Sequence, residues 1–112
     1  MRQLQMVIGG IEERKFAGRN KEVVVQSVKR HLSQQPDNWL NDTELDCGDE
    51  CHSIVSRAFN PNDYAWDDAS SWGIYTTRDG EKDGKLRLYN CRTAAFTDFM
   101  KLVVKEGEHW TK

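Results

Sequence analysis

Proline is scarce in this 112-residue chain, with two in all, and no apolar run approaches the ~18 residues that a membrane-spanning helix needs. The first scarcity leaves eight glycines as the main breakers of regular structure, and the second argues against a helical span. Cysteine is scarce too: three thiols leave one over from any disulfide scheme. The apolar stretch within MRQLQMVIGG is too short for a secretory signal, so a reducing cytoplasm is expected. There is no Gly-x-Ser-x-Gly, phosphate loop, zinc-binding histidine pair or dinucleotide fingerprint. No cofactor and no enzymatic activity are therefore expected.

With 38% hydrophobic and 30% charged residues, the chain has the composition of one globular domain spanning residues 1–112. About two-thirds of its unfolded surface can be buried at this size.

The net charge of −2 hides an uneven distribution. Residues 1–36 hold seven Lys/Arg against three Asp/Glu, residues 37–70 hold only Arg57 against nine acids, and residues 71–112 hold eight against six. An acidic middle between two mildly basic ends is the least ordinary property of the sequence.

Periodicity predicts the elements. Trp72, Ile74 and Thr76 alternate with Tyr75 and Thr77, and Leu86 and Leu88 alternate with Arg87 and Tyr89, across a turn with two Asp-Gly pairs. That pattern predicts an antiparallel hairpin. Phe96, Phe99, Met100 and Val103 then follow helical spacing, with Asn90 or Thr93 as the starting cap and Gly107 as the closing one. At the N-terminus Leu4, Met6 and Ile8 predict a strand ending at Gly9-Gly10, able to join the hairpin as a third strand. Residues 11–20 have poor strand chemistry and are expected to be a loop, with a Gly-Gly hairpin as the alternative.

Asn20 caps a helix whose Val24, Val28 and Leu32 stop before Pro36. A second helix is expected over Asp42 to Phe59, because Cys47, Cys51, Ile54 and Ala58 form a stripe, although Gly48 weakens it by about 1 kcal/mol. The expected fold is α+β: a three-stranded antiparallel sheet with about three helices packed on one face.

Two constellations invite metal chemistry. Cys47, Cys51, His52 and Cys91 could in number satisfy a zinc ion, but Cys47 and Cys51 at i and i+4 would point into the apolar stripe, so no metal is expected. The run Asp79-x-Glu81-x-Asp83-Gly84 resembles the first half of an EF-hand calcium loop, with Asn90 where the bidentate Glu belongs. A solvated hairpin turn accounts for the same residues.

The acidic middle carries the functional expectation. Asp42, Glu44, Asp46, Asp49, Glu50, Asp63, Asp67 and Asp68, with Trp39, Tyr64 and Trp66 among them, are expected to form an acidic surface with aromatic anchors. Such a surface suits a non-enzymatic binding module or inhibitor directed at a basic partner protein, for instance a nucleic-acid enzyme. Immunity proteins and phage or mobile-element proteins acting on host enzymes share this size and charge. A solvated helix face explains the run equally well. The alternative is a nucleic-acid-binding regulator using Arg14, Lys15, Arg19, Lys21, Lys29 and Arg30. A small enzyme or metal-dependent domain is the third reading.

Overall fold

The computed structural model describes residues 2–106, so Gly107 as a helix cap lies outside the described residues. In chain order the elements are β1 (Arg2–Ile8), β2 (Glu12–Gly18), α1 (Lys21–Ser33), α2 (Asp37–Leu40), β3 (Thr43–Asp46), β4 (Glu50–Ser56), β5 (Trp72–Arg78), β6 (Lys85–Tyr89) and α3 (Arg92–Glu106). The strands form one antiparallel sheet in the order β2-β1-β3-β4-β5-β6. The class is α+β, but the sheet has six strands where three were expected.

The extra strands come from two segments. Residues 43–56, expected to be helical, instead make the β3–β4 hairpin, with Asp46 opposite Cys51 and Thr43 opposite Ile54. Gly48 turns the chain with φ +86, a conformation glycine takes without the steric cost a Cβ would bring, and its N–H donates to Asp46 Oδ1 at 2.9 Å. The helical stripe was misleading because β4 is a central strand buried on both faces. His52, Ser53, Ile54, Val55 and Ser56 are all buried, so polar-apolar alternation disappears and an i, i+4 match survives by accident.

Residues 12–18 form β2, the hairpin that was the alternative for this stretch. Gly9 and Gly10 both take positive φ in the connecting turn, as the mirror-image turns of hairpins require. β2 is an edge strand with only Phe16 buried, and its charged run Glu12-Glu13-Arg14-Lys15 discourages pairing with another chain.

α1 begins as expected, with Asn20 Oδ1 accepting from the Val23 N–H at 3.0 Å and Val24, Val28 and Leu32 fully buried. α3 begins at Arg92, where the Cys91 carbonyl accepts from the Ala95 N–H at 3.3 Å. Among the described residues neither Asn90 nor Thr93 caps it with its side chain.

One face of the sheet carries the core. Leu4, Met6, Ile8 and Phe16 meet α1, while Ile54, Trp72 and Ile74 meet Ala95, Phe99 and Val103 of α3, with Leu45 between. The join between β1 and β3 is short, registered only at Met6 with Leu45 and Val7 with Glu44. On the other face, the connection of residues 57–71 folds back over β4 and β5. The Trp66 indole N–H donates to the Asn60 carbonyl at 2.7 Å, and its ring lies against Gly73, where a Cβ would come within 3.3 Å. Tyr64 packs edge-on to Trp66 and tilts against Tyr75, with centroids 5.8 and 5.0 Å away. The Arg57 guanidinium donates to the carbonyls of Asp67 and Ser70, pinning the connection shut.

Candidate functional site

The residues expected to form an acidic surface divide between the two sides of the sheet. Alternation along β3 and β4 places Glu44, Asp46, Cys51, Ser53 and Val55 away from the helices, on the side that residues 57–71 partly cover. Asp42, with φ +63, leads into β3, and its N–H donates to the Ile54 carbonyl at 2.7 Å. The field of these acids registers on two neighbours. Burial first, and then Glu44, Asp46 and Asp42, push the Cys51 thiol above its usual pKa. The Tyr64 phenol is raised by burial, then by Asp42, Tyr75, Asp63 and Glu44. Strand parity puts Glu44 and Asp46 on the open face, Asp42 and Asp63 lie near enough to Tyr64 to raise its phenol, and none of these four carboxylates has an ion-pair partner among the described residues.

The other expected site residues have structural work or lie elsewhere. Trp39, 37% exposed, sits against the β1–β2 turn, where its ring would meet a Cβ on Gly9. Asp67 Oδ1 accepts from the Ala69 and Ser70 N–H groups and shapes its own turn, and Trp66 is a half-buried support of the connection. Asp68 is exposed in that turn, while Asp49 lies in the β3–β4 turn with its carbonyl accepting from the Asp79 N–H. Glu50 faces the helices and pairs with Arg78 at 3.0 Å. The basic N-terminal set is dispersed: Arg14 pairs with Glu12 at 3.7 Å and lies over Phe16, whereas Lys15 points to the opposite face and Lys29 and Arg30 are exposed on α1.

A cleft of about 500 Å³ opens on the helix side between α3 and strands β4–β6, and sequence reasoning missed it. His52, Glu50, Thr76 and Tyr89 line it with Asp98 and Glu106, under a rim of Arg78, Arg87, Lys101 and Lys105. At one end Cys47, His52 and Glu106 bring their ligand atoms within 4.8 Å of one another, the one such three-residue set among the described residues. Burial pushes the Cys47 thiol up to about 12, helped by the charge and hydrogen bond of Glu106 and by Glu50 and Asp46. The Sγ donates to the Leu45 carbonyl at 3.9 Å, and a thiol held in its protonated form is a poor nucleophile. His52 is lowered by burial, partly offset by Glu50 and Glu106, with Arg78 and Lys105 acting in the same direction as burial. Its Nδ1 lies 2.7 Å from Thr76 Oγ1 and its Nε2 3.9 Å from Glu50 Oε1.

Cys51 lies on the opposite face and Cys91 is exposed before α3, so the four-residue zinc set suggested by composition does not assemble. Asp79, Glu81 and Asp83 occupy the β5–β6 turn and form no ligand set among the described residues. Glu106 had no local signal in the sequence; only the packing of α3 on β4 brings it to His52. No helix among the described residues is long and apolar enough to cross a membrane. Comparison with protein-family models, curated proteins and solved structures finds no match to this chain.

Proposed function

We propose that this protein is a binding module that captures a partner protein with a basic surface, such as a nucleic-acid enzyme carries, through the acidic strip of its open sheet face. The observation that supports this reading is the convergence of Asp42, Glu44, Asp46 and Asp63 beside Tyr64 with no cation paired to any of the four among the described residues. Unpaired like charges repel in the free protein, and a basic partner relieves that repulsion while steering association. Tyr64, held by Trp66 and Tyr75, presents a pre-ordered ring beside the charges, which limits the entropy lost on docking. The reading needs no catalytic group, and its setting is the cytoplasm, in keeping with three free cysteines.

Glu44→Lys with Asp46→Lys tests it. Affinity capture from a cell extract is run in parallel with wild-type and doubly reversed bait. A protein held by wild type, eluted by salt and lost with the variant supports the reading. Its association rate should also fall as the Debye length shrinks from ~10 Å at 0.1 M salt to ~3 Å at 1 M. Identical captured proteins and identical association rates for the two baits would refute it. Retention of wild type on heparin or DNA, lost on reversing N-terminal basic residues instead, would favour nucleic-acid binding.

A further inference from the structure

We infer that Cys47, His52 and Glu106 form a binding site for a single zinc ion at the end of the cleft, independent of the acidic strip on the opposite face. Three elements supply the donors: the β3–β4 turn, the buried middle of β4 and the last residue of α3. His52 is only 5% exposed, so its ring position is set by packing. Thr76 Oγ1, 2.7 Å from Nδ1, can accept the Nδ1–H proton and leave the Nε2 lone pair free for a metal, the outer-shell arrangement that orients metal-binding histidines. Tetrahedral zinc with bonds of about 2.0–2.3 Å puts neighbouring donors about 3.3–3.7 Å apart. The present separations, all within 4.8 Å, therefore close by at most about 1.5 Å through side-chain torsions at the turn and the helix end.

The reason for expecting no metal was a helix that placed Cys47 and Cys51 in one apolar stripe, and that helix does not form. Sulfur and nitrogen donors select a borderline-soft ion over calcium or magnesium, and one carboxylate completes a mixed set of the kind zinc accepts. Binding replaces the Cys47 thiol proton, which passes to solvent as the sulfur–zinc bond forms. His52 and Glu106 also line the cleft, where Glu50, tied to Arg78, stands as an outer carboxylate. The ion ties the end of α3 to the β3–β4 turn.

Cobalt is the probe, followed by competition with zinc. Metal-free full-length protein titrated with Co²⁺ should show one equivalent with tetrahedral d–d bands and a thiolate-to-metal charge-transfer band, both removed by zinc. Cys47→Ser should abolish the charge-transfer band. Glu106→Gln, at a helix end and not required for folding, should weaken binding at least 10-fold, and Thr76→Val about 10-fold by loosening the His52 ring. Cys51→Ser and Cys91→Ser should bind as wild type. Folded wild type with no charge-transfer band, a band that survives Cys47→Ser, or equal weakening by all three cysteine variants would overturn the assignment.

Discussion

Around α3, Asp98 lies within 4 Å of Arg87 and Lys101, Glu50 of Arg78, and Asp37 of Arg92, whereas across the sheet Glu44, Asp46 and Asp63 face solvent with no cation in reach among the described residues. Exposed ion pairs contribute little, about 0–1 kcal/mol each, so the contrast says less about stability than about availability. The helix side pairs several of its charges internally and encloses a cleft. The open side leaves its carboxylates without ion-pair partners among the described residues, while the aromatic connection supplies its packing. Neighbouring strands can thus carry two different surfaces, because successive side chains point to opposite faces.

Four variants test that contrast. Phe99→Ala removes a fully buried ring from the centre of the helix side and should cost about 3–5 kcal/mol in denaturant unfolding; an unchanged midpoint would mean that α3 is not docked. Trp66→Ala takes away the support of the open side and should cost about 2 kcal/mol, less than a fully buried aromatic, with wild-type stability showing that residues 57–71 lie loose on the sheet.

Tyr89→Phe deletes the hydroxyl that donates to Asp98 at 2.8 Å and should cost about 1 kcal/mol near neutral pH. That hydroxyl is the main cause holding the Asp98 carboxyl below its ordinary value of 3.8. A depressed acid stabilises the fold above its unfolded pKa and loses that contribution as pH falls through the folded one. The difference between wild type and variant should therefore shrink below about pH 3.8, and a carboxyl NMR titration should show Asp98 moving up in the variant. Glu44→Gln with Asp46→Asn should change stability by no more than about 0.5 kcal/mol, or raise it slightly; a larger loss would show that these acids hold the fold together and are not free for a partner.

Legibility in the sequence followed the number of faces an element exposes. α1 and α3 each bury one side, and the large apolar side chains of β5 point to one face, so Val24, Val28, Phe99, Val103, Trp72 and Ile74 carry a clean period. β4 buries both sides and β2 only Phe16, so the first lost its alternation and the second never had one. Gly9-Gly10 and Gly48 were the surviving local signals of these two hairpins, the first of them expected only as the alternative to a loop. Among the site residues, Asp42, Glu44 and Asp46 were close enough in sequence to be grouped by composition. Which of the remaining acids joined them depended on strand parity and turn position, and Glu106 reached His52 only through long-range packing.

The two-residue register between β1 and β3 has a kinetic consequence. Every other strand pair joins neighbours in sequence, so each hairpin can close early at low loop entropy, and only this seam must wait for α1 and α2 to be in place. On either side of it lie β1–β2–α1 and β3–β6 with α3, joined through Met6, Leu45 and the meeting of the two helices. If that seam opens at lower cost than global unfolding, the amides bridging β1 and β3 should exchange with solvent deuterium ahead of those shared by β4 and β5.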